Sequence, residues 1–384
     1  MVVSSFSFHT CSKVLFGAGQ SRQLPDLARQ FGSNILLVAG ASSLEKSGYM
    51  AFFLEKCKSL GASCDIVKVA KEPTPEFVDE ICEKFRQSPP NVVVGIGGGS
   101  VLDAAKAISA MIRQKDSVIH YLEGIGKKQY NGNKIPMIAV PTTAGTGSEV
   151  TKNAVLGREG CQGFKSSLRH DSLIPNIALV DPELMLSCPA SITAACGLDA
   201  FTQLLESYVS TKANILTDAL ALSGIEQCKD NLLAVAAQKS QDIPARTAMA
   251  YAALLSGITL ANAGLGVVHG FASCMGGIYG IPHGLLCGIL LPAATRINIE
   301  ALERIKNLEF LEKYAKVAQI LSSDRNSKAQ DLSKILLAWN DSLQLPKLEE
   351  VSIGKIDVEQ VVESVGQKNN PVLLTKEELK AILM

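Results

Sequence analysis

Two histidines set among glycines, an aspartate with a glutamine four residues on, and two glycine-bearing loops are the features of this chain that could do chemistry. His269 lies in Gly264-Leu265-Gly266-Val267-Val268-His269-Gly270, and His283 in Ile281-Pro282-His283-Gly284. Both surroundings are apolar, where an imidazole needs a hydrogen-bond partner or a metal. Asp199 and Gln203 stand at i and i+4 in ACGLDAFTQLLESYVS, residues 195–210, whose stripe of Leu198, Phe201, Leu205 and Tyr208 predicts a helix. That spacing projects both side chains from one face. A carboxylate, an amide oxygen and two imidazoles could ligate a divalent ion, and oxygen-plus-imidazole ligation suits Fe2+ or Zn2+ better than Mg2+ or Ca2+. Taken singly, the residues read first as an Asp–Gln hydrogen-bonded pair and as two satisfied core histidines. Their placement fourteen positions apart in one Gly-rich apolar stretch favours a shared site for the two histidines.

The first loop follows an apolar run: Val92-Val93-Val94-Gly95-Ile96-Gly97-Gly98-Gly99-Ser100 leads into a helix. Consecutive glycines let the backbone approach a pyrophosphate, Ser100 can donate a hydrogen bond, and a helix N-terminus carries partial positive charge. The spacing fits neither the Walker pattern nor a strict G-x-G-x-x-G, so a structural tight turn is the alternative. The second loop, Pro141 to Thr151, carries Thr142, Thr143 and Thr146, whose hydroxyls suit ribose and phosphate oxygens. Two such loops at the carboxyl ends of neighbouring strands would line one crevice.

The elements that must hold these loops are legible as alternating strands and helices. Ile35 to Val38, Cys64 to Val69, Asn91 to Gly95 and Met137 to Val140 predict strands. Helices are expected from the first strand to about Leu60, over Pro75 to Gln87, and over Asp103 to Met111. This alternation implies a parallel sheet with helices on both faces, a Rossmann-like α/β domain. After Asp181-Pro182, Ala, Leu and Ile recur at helical spacing, which predicts an all-α second half. The expected domains are residues 1–185 and 186–384.

Composition narrows the function classes. The 384 residues are 47% apolar and 19% charged, as in globular proteins, and the 37 basic residues balance 37 acidic ones. No basic footprint for nucleic acid or anionic membrane is present. The ten cysteines form no C-x-x-C pair and read as buried free thiols in a reducing cytoplasm, with no part in the chemistry. The opening MVVSSFSFHT and the broken apolar runs predict no signal peptide and no membrane span.

GIGGGSVLDAAKAI, PTTAGTGSEVTKNAV, LVDPELM, GLDAFTQLLESYVS and GVVHGFASCMGGIYGIPHGLLCGILLP, in this order over nearly the whole chain, resemble the iron-containing (group III) alcohol dehydrogenase family. The resemblance implies a dehydroquinate-synthase-like fold with cofactor and metal in a cleft between an α/β and an all-helical domain. It implies NAD(P)-dependent interconversion of an alcohol and an aldehyde or ketone, in a homodimer or larger homo-oligomer. Position by position, it implies that Gly97, Gly98, Gly99 and Ser100 hold the pyrophosphate and that Asp103 sits near the nicotinamide. Thr142, Thr143 and Thr146 would contact the cofactor, with Asn153 and Lys165 completing the wall. Asp199, His269 and His283 match three of the family's four metal ligands.

Two positions depart from the family pattern. Gln203 stands where the second ligand is usually His, and an amide is the weaker donor. Ser273 stands where many members have a His close to the nicotinamide, so a proton relay would run through Ser273, ribose hydroxyls or water. At the end of the first strand, Gly40 replaces the acidic residue that binds the adenosine ribose in NAD-preferring relatives, and Ser42 follows. That favours NADP over NAD. The rival expectations are a metal-independent reductase resembling maleylacetate reductases, with Gln203 as a hydrogen-bond donor, and a catalytically silent NADP(H)-binding relative.

Overall fold

Ile35-Leu36-Leu37-Val38 and Val92-Val93-Val94 are apolar on consecutive residues, the pattern of strands covered on both faces. In the computed structural model, which describes residues 5–41, 43–158, 163–237, 241–351 and 356–384, they do form the buried centre of a sheet. The first half contains β1 (Lys13–Phe16), α1 (Leu24–Arg29), β2 (Asn34–Gly40), α2 (Ser43–Lys46), α3 (Tyr49–Ser59), β3 (Ser63–Val69), α4 (Pro75–Arg86), β4 (Val92–Gly97), α5 (Gly99–Met111), β5 (Met137–Pro141), β6 (Asn153–Arg158), β7 (Phe164–Arg169) and β8 (Ile177–Val180). Six strands lie parallel in the order β1-β8-β5-β4-β2-β3. Alternate residues serve opposite layers. Leu36, Val38 and Val93 pack with residues of α4 and α5, while Ile35, Leu37, Val92 and Val94 pack with residues of α1 and α3.

The strand order reverses between β2 and β4: the chain runs outward from β2 to β3, then returns past β2 to β4 and β5. The carboxyl ends at such a switch point form the nucleotide crevice of open α/β sheets. Gly40 ends β2, and the glycine loop and the Thr142-Thr143 loop lie at the carboxyl ends of β4 and β5.

Where the structure differs from the sequence expectations, the causes are local. α5 starts at Gly99, not Asp103, because Gly98 is extended at ψ −174° and serves as the N-cap. The segment before Leu60 is two helices, parted by Gly48 at φ 75°. β1, half-exposed at the sheet edge, and the antiparallel β6–β7 hairpin were not among the expected strands: Val14-Leu15-Phe16 and Ala154-Val155-Leu156 are short apolar runs set between polar residues.

The chain falls into two compact units. His9–Thr143 and Gly147–Cys188 form the α/β unit, and Pro189–Met384 with Ala144–Thr146 and residues 5–8 form the helical one. The latter comprises α6 (Ala190–Tyr208), α7 (Ile215–Ala237), α8 (Ile243–Ala263), α9 (Val267–Tyr279), α10 (His283–Arg304), α11 (Leu308–Ser322), α12 (Ala329–Ser342), α13 (Leu348–Val351), α14 (Val358–Ser364) and α15 (Lys376–Leu383). α10 is long and apolar enough to cross a membrane, but 72% of its apolar window is buried inside the protein, as in a core helix.

Candidate active site

Two glycines determine how closely α10 approaches α6. A Cβ on Gly284 would stand 2.4 Å from the Ala195 carbonyl oxygen, and one on Gly288 would stand 2.6 Å from Leu198 Cδ1. The near contact carries His283 and Cys287, each immediately before one of these glycines, to Asp199 on α6. His269 arrives by a different route. Gly264, at φ 75°, ends α8, and the chain turns by 99° into α9. Glu206, seven residues after Asp199 on α6, accepts from the Val268 backbone N–H at 2.7 Å with one oxygen and meets His269 Nδ1 at 2.7 Å with the other. A carboxylate at a helix N-terminus is favourable in itself. Here it also pairs with Nδ1, which orients the ring so that Nε2 faces Asp199.

His269 Nε2 is 3.2 Å from Asp199 Oδ1 and 3.8 Å from Cys287 Sγ, and His283 Nε2 is 3.8 Å from the same Asp199 oxygen. These four donor atoms lie within 4.8 Å of one another. In a tetrahedral site with metal–donor bonds of about 2.0–2.3 Å, neighbouring donors stand roughly 3.3–3.8 Å apart. Asp199, His269, His283 and Cys287 therefore fit a divalent ion. The Asp199 and His269 side chains are almost fully buried, whereas His283 is 28% exposed and gives the cluster its solvent-facing side.

The cluster's charges are mutually stabilising even without an ion. Burial opposes a charged His269, but Cys287 and the hydrogen bonds to Asp199 and Glu206 outweigh it and raise its pKa well above the usual value. Burial pushes the Asp199 carboxyl up, and the hydrogen bond to His269 with the charges of the two histidines pulls it below the carboxylate range. Burial raises the Cys287 thiol to about 11.

Gln203 is buried beside the cluster, but Ser256 Oγ donates to its amide oxygen at 2.8 Å. Its hydrogen bond with the Asp199 carboxylate turns the NH2 group inward. The atom expected to ligate is thus turned away, and a thiol stands where an amide was expected. The hydroxyl of Ser273 donates to the His269 carbonyl at 2.7 Å, a contact within its own helix. Glu206 and Cys287 were not among the expected site residues. Both carry a helical-face signal, at i+7 from Asp199 and at i+4 from His283.

In the α/β unit, Gly97 pairs with Pro141 across β4 and β5, and the Thr142 N–H donates to the Gly97 carbonyl at 2.9 Å. The two loops therefore start side by side. Gly97 is required by close packing, since a Cβ there would lie 2.5 Å from Val101 Cβ. At the N-terminus of α5, Gly98 supplies no side-chain cap and the first turn has no acidic residue, so Gly99 and Ser100 open a helix end suited to an anion. A Cβ on Gly98 would come within 3.4 Å of Thr143. Gly40 ends β2, Ser42 lies outside the described residues, and Thr146 belongs to the short segment grouped with the helical unit.

Asp103 has a structural task. It accepts from Ser148 Oγ at 2.6 Å and from the Val155 N–H at 3.2 Å, and its carboxylate is 3.5 Å from the buried Lys106 Nζ. Lys106 in turn donates to Thr151 Oγ1 and to the Asn153 carbonyl. Lys165, on β7, pairs with Glu72.

Residues 11–182 match the family model described as iron-containing alcohol dehydrogenase, and residues 193–384 match the C-terminal model of the same family. Alcohol dehydrogenase 4 of Saccharomyces cerevisiae is 31% identical over 96% of this chain and 95% of its own length. The NADPH-dependent butanol dehydrogenase of Clostridium saccharobutylicum is 30% identical, again over 96% of this chain and 95% of its own. The crystal structure of a 1,3-propanediol oxidoreductase superposes with a TM-score of 0.87 at 28% identity, covering 99% of both chains. With both halves matched in order, the chain belongs to the iron-containing alcohol dehydrogenase family, NAD(P)-dependent oxidoreductases that act on the CH–OH group of their donors.

Proposed function

We propose that this enzyme interconverts an alcohol and its aldehyde or ketone with NADP(H) as the preferred cofactor, at a site built to hold Fe2+ or Zn2+ on Asp199, His269 and His283. The observation that carries this reading is the convergence of their donor atoms, with His269 oriented by Glu206. A divalent ion bound there supplies Lewis acidity toward the carbonyl oxygen, and the nicotinamide supplies the hydride. The chain's share is binding, orientation and charge. Gly97, Gly98, Gly99 and Ser100 present backbone N–H groups to the pyrophosphate. Thr142, Thr143, Thr146, Asn153 and Lys165 contribute polar groups for the rest of the cofactor. Gly40 places no carboxylate against a ribose 2′-phosphate.

Ser273 can receive a proton, but it must release its own hydroxyl hydrogen from the His269 carbonyl to pass one on. The reaction site is proposed to belong to a homodimer or larger homo-oligomer in the reducing cytoplasm, where the nine described cysteines stay free thiols.

A second reading is favoured by Gln203. Its inward NH2 group would suit a metal-independent reductase in which protein donors polarise the carbonyl. A panel of aldehydes and alcohols assayed with NADPH and NADH, with and without added Fe2+ and Zn2+, tests the proposal. The expected outcome is turnover stimulated by metal and faster with NADPH. A preference for NADH above about a hundredfold in kcat/KM, nearly 3 kcal/mol, would overturn the cofactor assignment.

A further inference from the structure

Cys287 is fully buried, and a buried cysteine is ordinarily a small apolar filler. Three observations argue otherwise. Its sulfur faces His269 Nε2 at 3.8 Å and lies within 4.8 Å of donor atoms on Asp199 and His283. It is one helical turn after His283, so both point from the same face of α10. Gly284, against the Ala195 carbonyl, and Gly288, against the Leu198 side chain of α6, hold that face against Asp199, so the sulfur's position is imposed by close helix packing. Meanwhile the amide oxygen of Gln203 is occupied by Ser256, and its NH2 group serves Asp199.

We propose that Cys287, as a thiolate, is the fourth protein ligand of the metal, that Gln203 is a positioning residue for Asp199, and that the site therefore takes a thiophilic ion, Zn2+, in preference to Fe2+. Binding breaks the S–H bond, and the proton leaves to solvent as the metal–sulfur bond forms. Soft sulfur ligands select zinc over harder, oxygen-seeking ions. Asp199, His269, His283 and Cys287 would together hold the ion, which would supply Lewis acidity to a carbonyl oxygen that reached it. The side of the exposed His283 is where the cluster reaches solvent.

This inference rests on the metal-dependent reading above, and Co2+ separates the two. The full-length protein is stripped of metal, reconstituted with Co2+, and examined by electronic absorption and by X-ray absorption at the cobalt edge. The expected wild-type result is visible d–d bands, an intense near-ultraviolet thiolate-to-cobalt charge-transfer band, and a sulfur scatterer at about 2.3 Å. Cys287→Ser should abolish the charge-transfer band and weaken cobalt binding at least about tenfold. Gln203→Ala should keep the band, and in competition the wild type should retain Zn2+ over Fe2+. The wild-type sulfur shell decides the matter even if the Cys287 variant does not fold. Bound cobalt with d–d bands but no sulfur shell overturns the thiolate assignment and leaves the metal reading standing. Failure of the wild type to bind cobalt at all overturns both.

Discussion

Asp199→Ala is expected to lower kcat/KM for aldehyde reduction by at least about a thousandfold, roughly 4 kcal/mol, and to leave the protein without bound metal. Asp199 is the buried anionic oxygen donor on which both imidazoles converge, at 3.2 and 3.8 Å. Alanine removes that donor and leaves two imidazoles and a buried thiol without the carboxylate whose charge offsets that of the dication and holds the imidazoles together. The glycine loop that is proposed to hold the pyrophosphate lies in the other unit, so NADPH binding should persist in the variant. Steady-state kinetics, metal analysis and NADPH titration on the same preparation check all three statements. Retention of both metal and full activity would remove Asp199 from the site.

Asp103→Ala should destabilise the protein by about 3–5 kcal/mol in the absence of cofactor, the usual cost of removing one partner from a buried ion pair. The Lys106 side chain is fully buried and the Asp103 side chain is 15% exposed. Burial already lowers the lysine's pKa, and Asp103 opposes that fall. The carboxylate also fastens Ser148 and Val155 to α5, so its loss loosens the segment that carries the second loop. Denaturant unfolding of the cofactor-free protein measures the effect. The family resemblance places Asp103 near the nicotinamide instead. If the variant were as stable as the wild type and only the cofactor KM rose, the structural role would be the mistaken one.

The strands were legible because Ile35 to Val38 and Val92 to Val94 are buried on both sides and must be apolar throughout. Helix starts were less so: whether α5 begins at Gly99 or Asp103 depends on the backbone angles of Gly98, which its side chain does not constrain. The hairpin β6–β7 offers only the three-residue apolar run Ala154-Val155-Leu156 on one strand, and its partner, Phe164–Arg169, is largely polar, a weak signal beside the strands of the central sheet.

At the site, Asp199, His269 and His283 could be picked out by chemistry and local context. Cys287 is legible by its i+4 offset from His283, a relation that the spacing of the cysteines among themselves does not reveal. Glu206 was equally available on the Asp199 face. The orientation of Gln203 was not: it depends on Ser256, 53 residues away on a different helix, and only packing of α6 against α8 brings the two together.

The most direct measurement of the central claim is the metal content of protein purified without chelators, paired with NADPH-dependent aldehyde reduction before and after treatment with EDTA. The predicted result is a stoichiometric divalent ion, turnover that is lost with it, and turnover that returns when metal is restored. Undiminished turnover by metal-free protein would contradict the account and leave the carbonyl to be polarised by protein donors alone.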